Sequence, residues 1–186
     1  MTARAVTRNA NAISKPCFYS TSVPLRNETM NVTLQNEHRW LDKLVGEWTF
    51  ESECSMGPDQ PPMKAKGAEV VRSFGGLWTI ADTVGGMQDG SWKSIMTLGF
   101  DPKANCFLGT FIATMMTHMW VYRGSLDAAN KVLTLDTEGP NFASGVTVRY
   151  QDIIEFHTDD HRTLSSQTLG DDGKWNPFMK AHYRRK

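Results

Sequence analysis

The sequence predicts an all-β protein: one antiparallel up-and-down β-barrel of about ten strands, entered through a short N-terminal helix. Three observations carry this. From Gly46 onward the chain of 186 residues is a succession of short segments rich in Val, Ile, Thr, Phe, Tyr and Trp, separated by Gly, Asn, Asp or Pro. The separators are too short for a parallel crossover of a dozen or more residues, so successive segments must run antiparallel. Only one stretch has a helical period. A meander of that length left open exposes two unpaired edges, and closing it removes both.

The elements follow in order. In Asn36 to Val45, Trp40, Leu41, Leu44 and Val45 share one helical face, Asn36 stands as the N-cap and Gly46 as the stop. Glu47–Cys54 alternates Trp48, Phe50, Ser52 and Cys54 against Glu47, Thr49, Glu51 and Glu53, which gives one buried and one wetted face. The prolines of Pro58 to Pro62 make a loop. Strands are expected at 65–73 and 77–84, joined through Gly75-Gly76, then at 92–100 and 106–114 about the turn Asp101 to Asn105. His118–Gly124, Lys131–Glu138, Val146–His157, Arg162–Leu169 and Trp175–Arg184 complete the set, with turns between.

Length and composition fit a single domain over residues 35–186, with no shift that marks a second one. Lys plus Arg number 20 and Asp plus Glu number 20, so no net field draws the chain to nucleic acid or an anionic membrane. The longest apolar run, Phe111 to Val121, is broken by Thr114, Thr117 and His118 and is too short to span a bilayer. A soluble protein is expected, with neither nucleic acid nor membrane as partner. The three cysteines, Cys17, Cys54 and Cys106, form no CxxC pair and read as reduced thiols. Residues 1–34 differ from the rest. Arg4, Arg8, Lys15 and Arg26 precede the first acid, Glu28, among small polar residues that build no core. The preferred reading is a disordered extension of a cytoplasmic protein that properly starts at Met30; the alternative is a mitochondrial transit peptide.

The blocks Trp40-Leu41-x-x-Leu44-Val45-Gly46-Glu47-Trp48, Val71 to Trp78, Met96 to Pro102, Met115 to Tyr122 and Leu133 to Pro140 resemble, in the same order, those of a bacterial domain-of-unknown-function family of calycin-like (lipocalin- and nitrobindin-like) barrels. The resemblance runs from about residue 36 to 185. It implies a barrel plugged at one end by the short helix and brings no established activity. Gly46-x-Trp48 is also similar to the lipocalin Gly-x-Trp signature, which implies that an arginine of the last strand, Arg184 or Arg185, stacks on the Trp48 ring. Ten-stranded nitrobindin-like barrels bind haem through a C-terminal histidine, and that likeness points to His182 as a haem or metal ligand.

The candidate sites each have a plainer reading beside them. Met115-Met116-Thr117-His118-Met119 collects soft and imidazole ligands for copper(I) or haem, but Met116, His118 and Trp120 equally suit the wall of an apolar cavity. His157 and His161 have zinc-like spacing, yet across a β-turn that spacing fixes no geometry. Asp136 and Glu138 point the same way from one strand and offer an acid–base pair, against the commoner pairing with a cross-strand arginine. Arg72 and Arg149 are candidates for that partner or for an anchor holding a ligand's polar end. No nucleophile elbow, phosphate loop, dinucleotide fingerprint or HExxH occurs. The leading expectation is therefore a non-enzymatic barrel binding a small hydrophobic or amphipathic molecule without a cofactor. Trp78, Met96, Met116, His118 and Trp120 are expected to line its cavity, with Arg72 or Arg149 at the polar end. The alternatives are an enzyme with a buried carboxylate and His pair, a haem or metal binder, and a filled structural module that assembles as a homodimer.

Overall fold

A computed structural model of the chain describes residues 33–186 apart from 56, 58–59, 88–89 and 142–143. Thr33–Lys186 forms one compact unit. The expectations placed on the N-terminal extension, Cys17 and the Met30 start lie outside the described residues.

Helix α1 (Asn36–Asp42) buries His38, Trp40 and Leu41. Its N-cap is Gln35 rather than Asn36. The chain is extended at Gln35, whose backbone N–H donates to Nδ1 of His38 at 3.1 Å, while the Asn36 side chain turns outward to accept from Arg39. The local sequence offers two adjacent polar caps, and the burial of the His38 ring edge-on against Phe100 selects the register.

Ten strands follow: β1 (Gly46–Cys54), β2 (Met63–Phe74), β3 (Trp78–Met87), β4 (Gly90–Asp101), β5 (Cys106–Ala113), β6 (Trp120–Leu126), β7 (Val132–Pro140), β8 (Thr147–Thr158), β9 (His161–Leu169) and β10 (Trp175–Arg185). Each pairs antiparallel with its sequence neighbours, and β1 pairs with β10, from Trp48 opposite Arg185 to Cys54 opposite Met179, so the barrel is closed. The β2–β3 hairpin turns on Gly75 and Gly76, whose φ of +67° and +72° belong to the mirror-image turn that suits the right-handed twist of the strands. One expected strand is displaced. β6 begins at Trp120 rather than His118, because the preceding residues fold across the Trp120 ring: its Nε1–H donates to the Met116 sulfur at 3.1 Å, and the His118 ring stands edge-on to it at 4.8 Å. β7 in turn runs past Glu138 through Gly139, where a Cβ would lie 2.4 Å from that same indole.

The interior is filled unevenly. At the α1 end, Trp40 stands edge-on to Phe107 and Phe156, and Phe100 packs on Phe107. Along one flank Tyr122, Leu133 and Leu135 are fully buried, and Trp120 stands edge-on to Tyr150. The first and last strands are locked at the helix end. Trp48 is completely buried, with its Nε1–H donating to the Leu44 carbonyl at 2.8 Å. The guanidinium over its ring, at 4.2 Å, belongs to Arg185 and not to Arg184. Arg185 also donates to the carbonyls of Val45 and Lys43 at 2.8 and 2.9 Å, which satisfies the C-terminal end of the helical turn. Arg184 lies on the exposed side of the strand, as alternation requires of its neighbour. Gly46 permits the arrangement twice over: its φ is +135°, and a Cβ there would sit 2.5 Å from an Arg185 nitrogen. Among the described residues no helix is long and apolar enough to cross a membrane.

Candidate functional site

The unfilled part of the interior is a cavity of about 270 Å³ bounded mainly by β1–β5 and β8–β10. Leu44 and Leu98 border it toward α1. At the opposite end, where β1 and β5 finish and β2 and β10 start, Met63, Met115, Met116, Met179, Phe178 and Cys54 border it. Methionine suits such a rim because its unbranched, polarizable side chain adapts to differently shaped apolar partners. Burial holds the Cys54 thiol above its ordinary pKa, so it is a poor nucleophile there.

Polar groups are concentrated deep in this chamber. Arg162 and Glu69, both nearly inaccessible to solvent, form a salt bridge between Nη2 and Oε1. The other Glu69 oxygen accepts from the Thr83 hydroxyl at 3.1 Å. The Arg162 guanidinium lies 3.8 Å from the centre of the Tyr183 ring and 4.9 Å from that of Trp48. Two aromatic faces and one carboxylate thus replace the water that a buried cation would otherwise lose. Burial, reinforced by the Glu69 charge, holds the Tyr183 hydroxyl well above its usual pKa, so it stays a neutral phenol. Of the Arg162 donors, Nε–H is buried and meets no acceptor among the described residues.

A second interior carboxylate, Asp152, accepts from Tyr122 Oη and Ser166 Oγ, each at 2.5 Å. Burial raises its pKa against the opposing effect of those two donors. It belongs to the filled flank and is not among the residues lining the cavity. A wider concavity on the outer surface, bordered by Glu51, Glu53, Lys64, Lys66, Lys180 and Arg184, is open to solvent. Lys64 pairs with Glu53 there at 2.8 Å, and we regard it as a saddle of the twisted sheet rather than a chamber.

Of the side chains anticipated in the cavity wall, Met96 and Met116 are there. Trp120 faces inward but is part of the packed flank, and His118 does not border the cavity, its Nε2 lying 3.4 Å from the Glu138 carbonyl. Trp78, Arg72 and Arg149 are on the outside. Thr79, the inward neighbour of Trp78, borders the cavity, while the indole covers Gly99 on the outer face. Arg72 is exposed beside buried Val71, and exposed Arg149 approaches the Trp175 ring at 6.0 Å. Asp136 and Glu138 do share a face, but it is the exposed one, where Gln151 donates to Asp136 at 2.9 Å and Glu138 stands opposite Arg149. That removes the geometry for interior acid–base work at this pair. The buried charged residues that border the cavity are Arg162 and Glu69, and not Arg72 or Arg149. A signal for them existed: both are charged residues on the apolar phase of their strands, two residues from Leu164 and from Val71 respectively.

The haem suggested by His182 does not fit these residues. His182 projects from the outer face, its Nδ1 3.3 Å from His161 Nε2, and no histidine lines the cavity. The His157 and His161 rings lie 4.7 Å apart beside it, yet among the described residues no three His, Cys, Asp or Glu are arranged to hold a metal ion. The Met–His segment does not converge either: Met116 points into the barrel, whereas Met119 is exposed.

Fold and site together define a closed ten-stranded antiparallel barrel with a one-sided interior chamber, closed at one end by a helix. The chain belongs to the family of proteins of unknown function DUF1579, which matches residues 33–185. No curated protein matches it in sequence. Among solved structures, Rv2717c from M. tuberculosis is similar at 15% identity and a TM-score of 0.55, over 83% of this chain and 99% of that one, which establishes a common fold. The redesigned β-barrel mFAP1, solved bound to DFHBI, aligns over 80% of this chain and 99% of its own at 13% identity, with a TM-score of 0.41.

Proposed function

We propose that the barrel binds a small hydrophobic or amphipathic molecule in its interior and acts as a carrier or sensor of it rather than as an enzyme. The observation that carries this reading is the chamber itself. Packed interiors leave few voids larger than a water molecule, whereas here about 270 Å³ is bordered by apolar side chains with a small group of polar ones at depth. That combination is the usual form of a small-molecule site. The reading invokes neither haem nor metal. Its molecular test is occupancy. Native mass spectrometry of freshly purified protein, and thermal-shift screening of apolar metabolites, should reveal a ligand that raises the melting temperature by mass action. Ala81→Phe, which places a ring in the chamber, should abolish the shift for every ligand found. A protein that shows no small-molecule occupancy and responds to nothing in the panel refutes the reading.

A further inference from the structure

We propose that the cavity selects electrically neutral ligands over organic ions, and that Glu69 is the residue that sets this preference. The inference rests on the carrier reading and adds the ligand class. Its starting point is what the buried polar group lacks. Arg162 would ordinarily recommend a carboxylate ligand, because its guanidinium matches one bidentately. Here that role is already filled from within the chain: Glu69 accepts from Nη2 and is held in place by the Thr83 hydroxyl. The pair is neutral as a unit, and both members are almost wholly removed from water. Arg162 Nε–H has no acceptor among the described residues, but it is itself buried, so the pair presents no free counter-charge to a ligand.

A ketone, ester, amide or ether enters such a chamber without adding charge. An ionised carboxylate brings a second anion beside Glu69 into a poorly polarizable site, where like charges repel far more strongly than in water. An ammonium group meets Arg162 with the same penalty, and the Glu69 carboxylate is already engaged by Arg162 and Thr83.

The test uses the whole chain and displacement of the fluorescent apolar probe N-phenyl-1-naphthylamine by three matched competitors: 2-decanone, decanoate and decylammonium. At neutral pH we expect 2-decanone to compete at least tenfold more effectively than either ion, and decanoate to gain as the pH falls and it becomes the neutral acid. In Glu69→Gln the guanidinium keeps its charge and loses its counterion, so decanoate should match or overtake 2-decanone. Wild-type protein that prefers decanoate overturns this inference and leaves the carrier reading intact. A folded Glu69→Gln protein that keeps the wild-type order overturns the role of Glu69. Failure of the fluorescent probe and all three competitors to bind overturns both inference and carrier reading. The wild-type comparison stands without the variant should Glu69→Gln not fold.

Discussion

Arg185 and Arg184 are adjacent and carry the same charge, yet the barrel uses them differently. Arg185 stacks on Trp48 and donates to two carbonyls at the end of α1, while Arg184 faces solvent. Arg185→Ala should therefore cost about 2 kcal/mol in urea unfolding, from a lost cation–π contact and two carbonyls left without their donor, and Arg184→Ala about 0.5 kcal/mol or less. Asp152 gives a pH signature. Its carboxyl pKa is raised in the folded state above the ordinary 3.8, chiefly by burial. Between the two values the folded protein holds a proton that the unfolded chain has released, so stability falls as the pH rises through that window and levels off above it. In Asp152→Asn this decline should be absent, and paired denaturation curves from acid to neutral pH will show it. His161 has the opposite sign. Partial desolvation, with Arg184 and the neighbouring histidines, lowers its pKa below 6.5, so its contribution is lost as the pH falls and the unfolded imidazole takes up a proton first.

At the scale of the element, what separates two glycines of neighbouring strands is what faces them. Gly67 in β2 lies where a Cβ would stand 2.1 Å from the Val84 carbonyl oxygen and 2.8 Å from the Phe50 ring, so the strands themselves would have to part. Gly86 in β3 would bring its Cβ no closer than 3.8 Å to anything. Gly67→Ala should accordingly destabilise by about 2 kcal/mol or more, and Gly86→Ala by well under 1, measured as midpoints of chemical denaturation. The order and number of strands were readable because alternation and turn residues are local: each hairpin declares itself within a dozen residues. β6 is the instructive exception. His118 fits a strand by pattern, but it folds over the Trp120 ring and its Nε2 lies 3.4 Å from the carbonyl of Glu138 in the next strand, a partner outside any short window of sequence.

For the whole molecule, the chamber exists because the large aromatics cluster at the helix end and along one flank, leaving Ala65, Ala81, Ala113 and Ala181 on the other. Ala81→Leu should then raise the melting temperature of the empty protein, since it fills space without displacing a packed neighbour, while weakening any interior ligand. A lower melting temperature together with unchanged ligand binding would mean that the space beside Ala81 is not available. The amino-acid sequence carried the fold class, the short helix before the first strand and the strand order, which follow from periodicity and turn chemistry, and its resemblance to the lipocalin Gly-x-Trp signature implied an arginine over Trp48. It placed Met96 and Met116 in the wall and offered a cross-strand arginine for Asp136 or Glu138, as the register of Glu138 opposite Arg149 allows, yet it put Trp78 and a polar anchor of Arg72 or Arg149 inside, where they are not. One residue of phase moves a side chain from lumen to solvent, and nothing local says which charged residue will find its counterion on the far side of the barrel. Glu69 and Arg162 are 93 positions apart in the chain, and only closure of the sheet brings them together and leaves the space beside them.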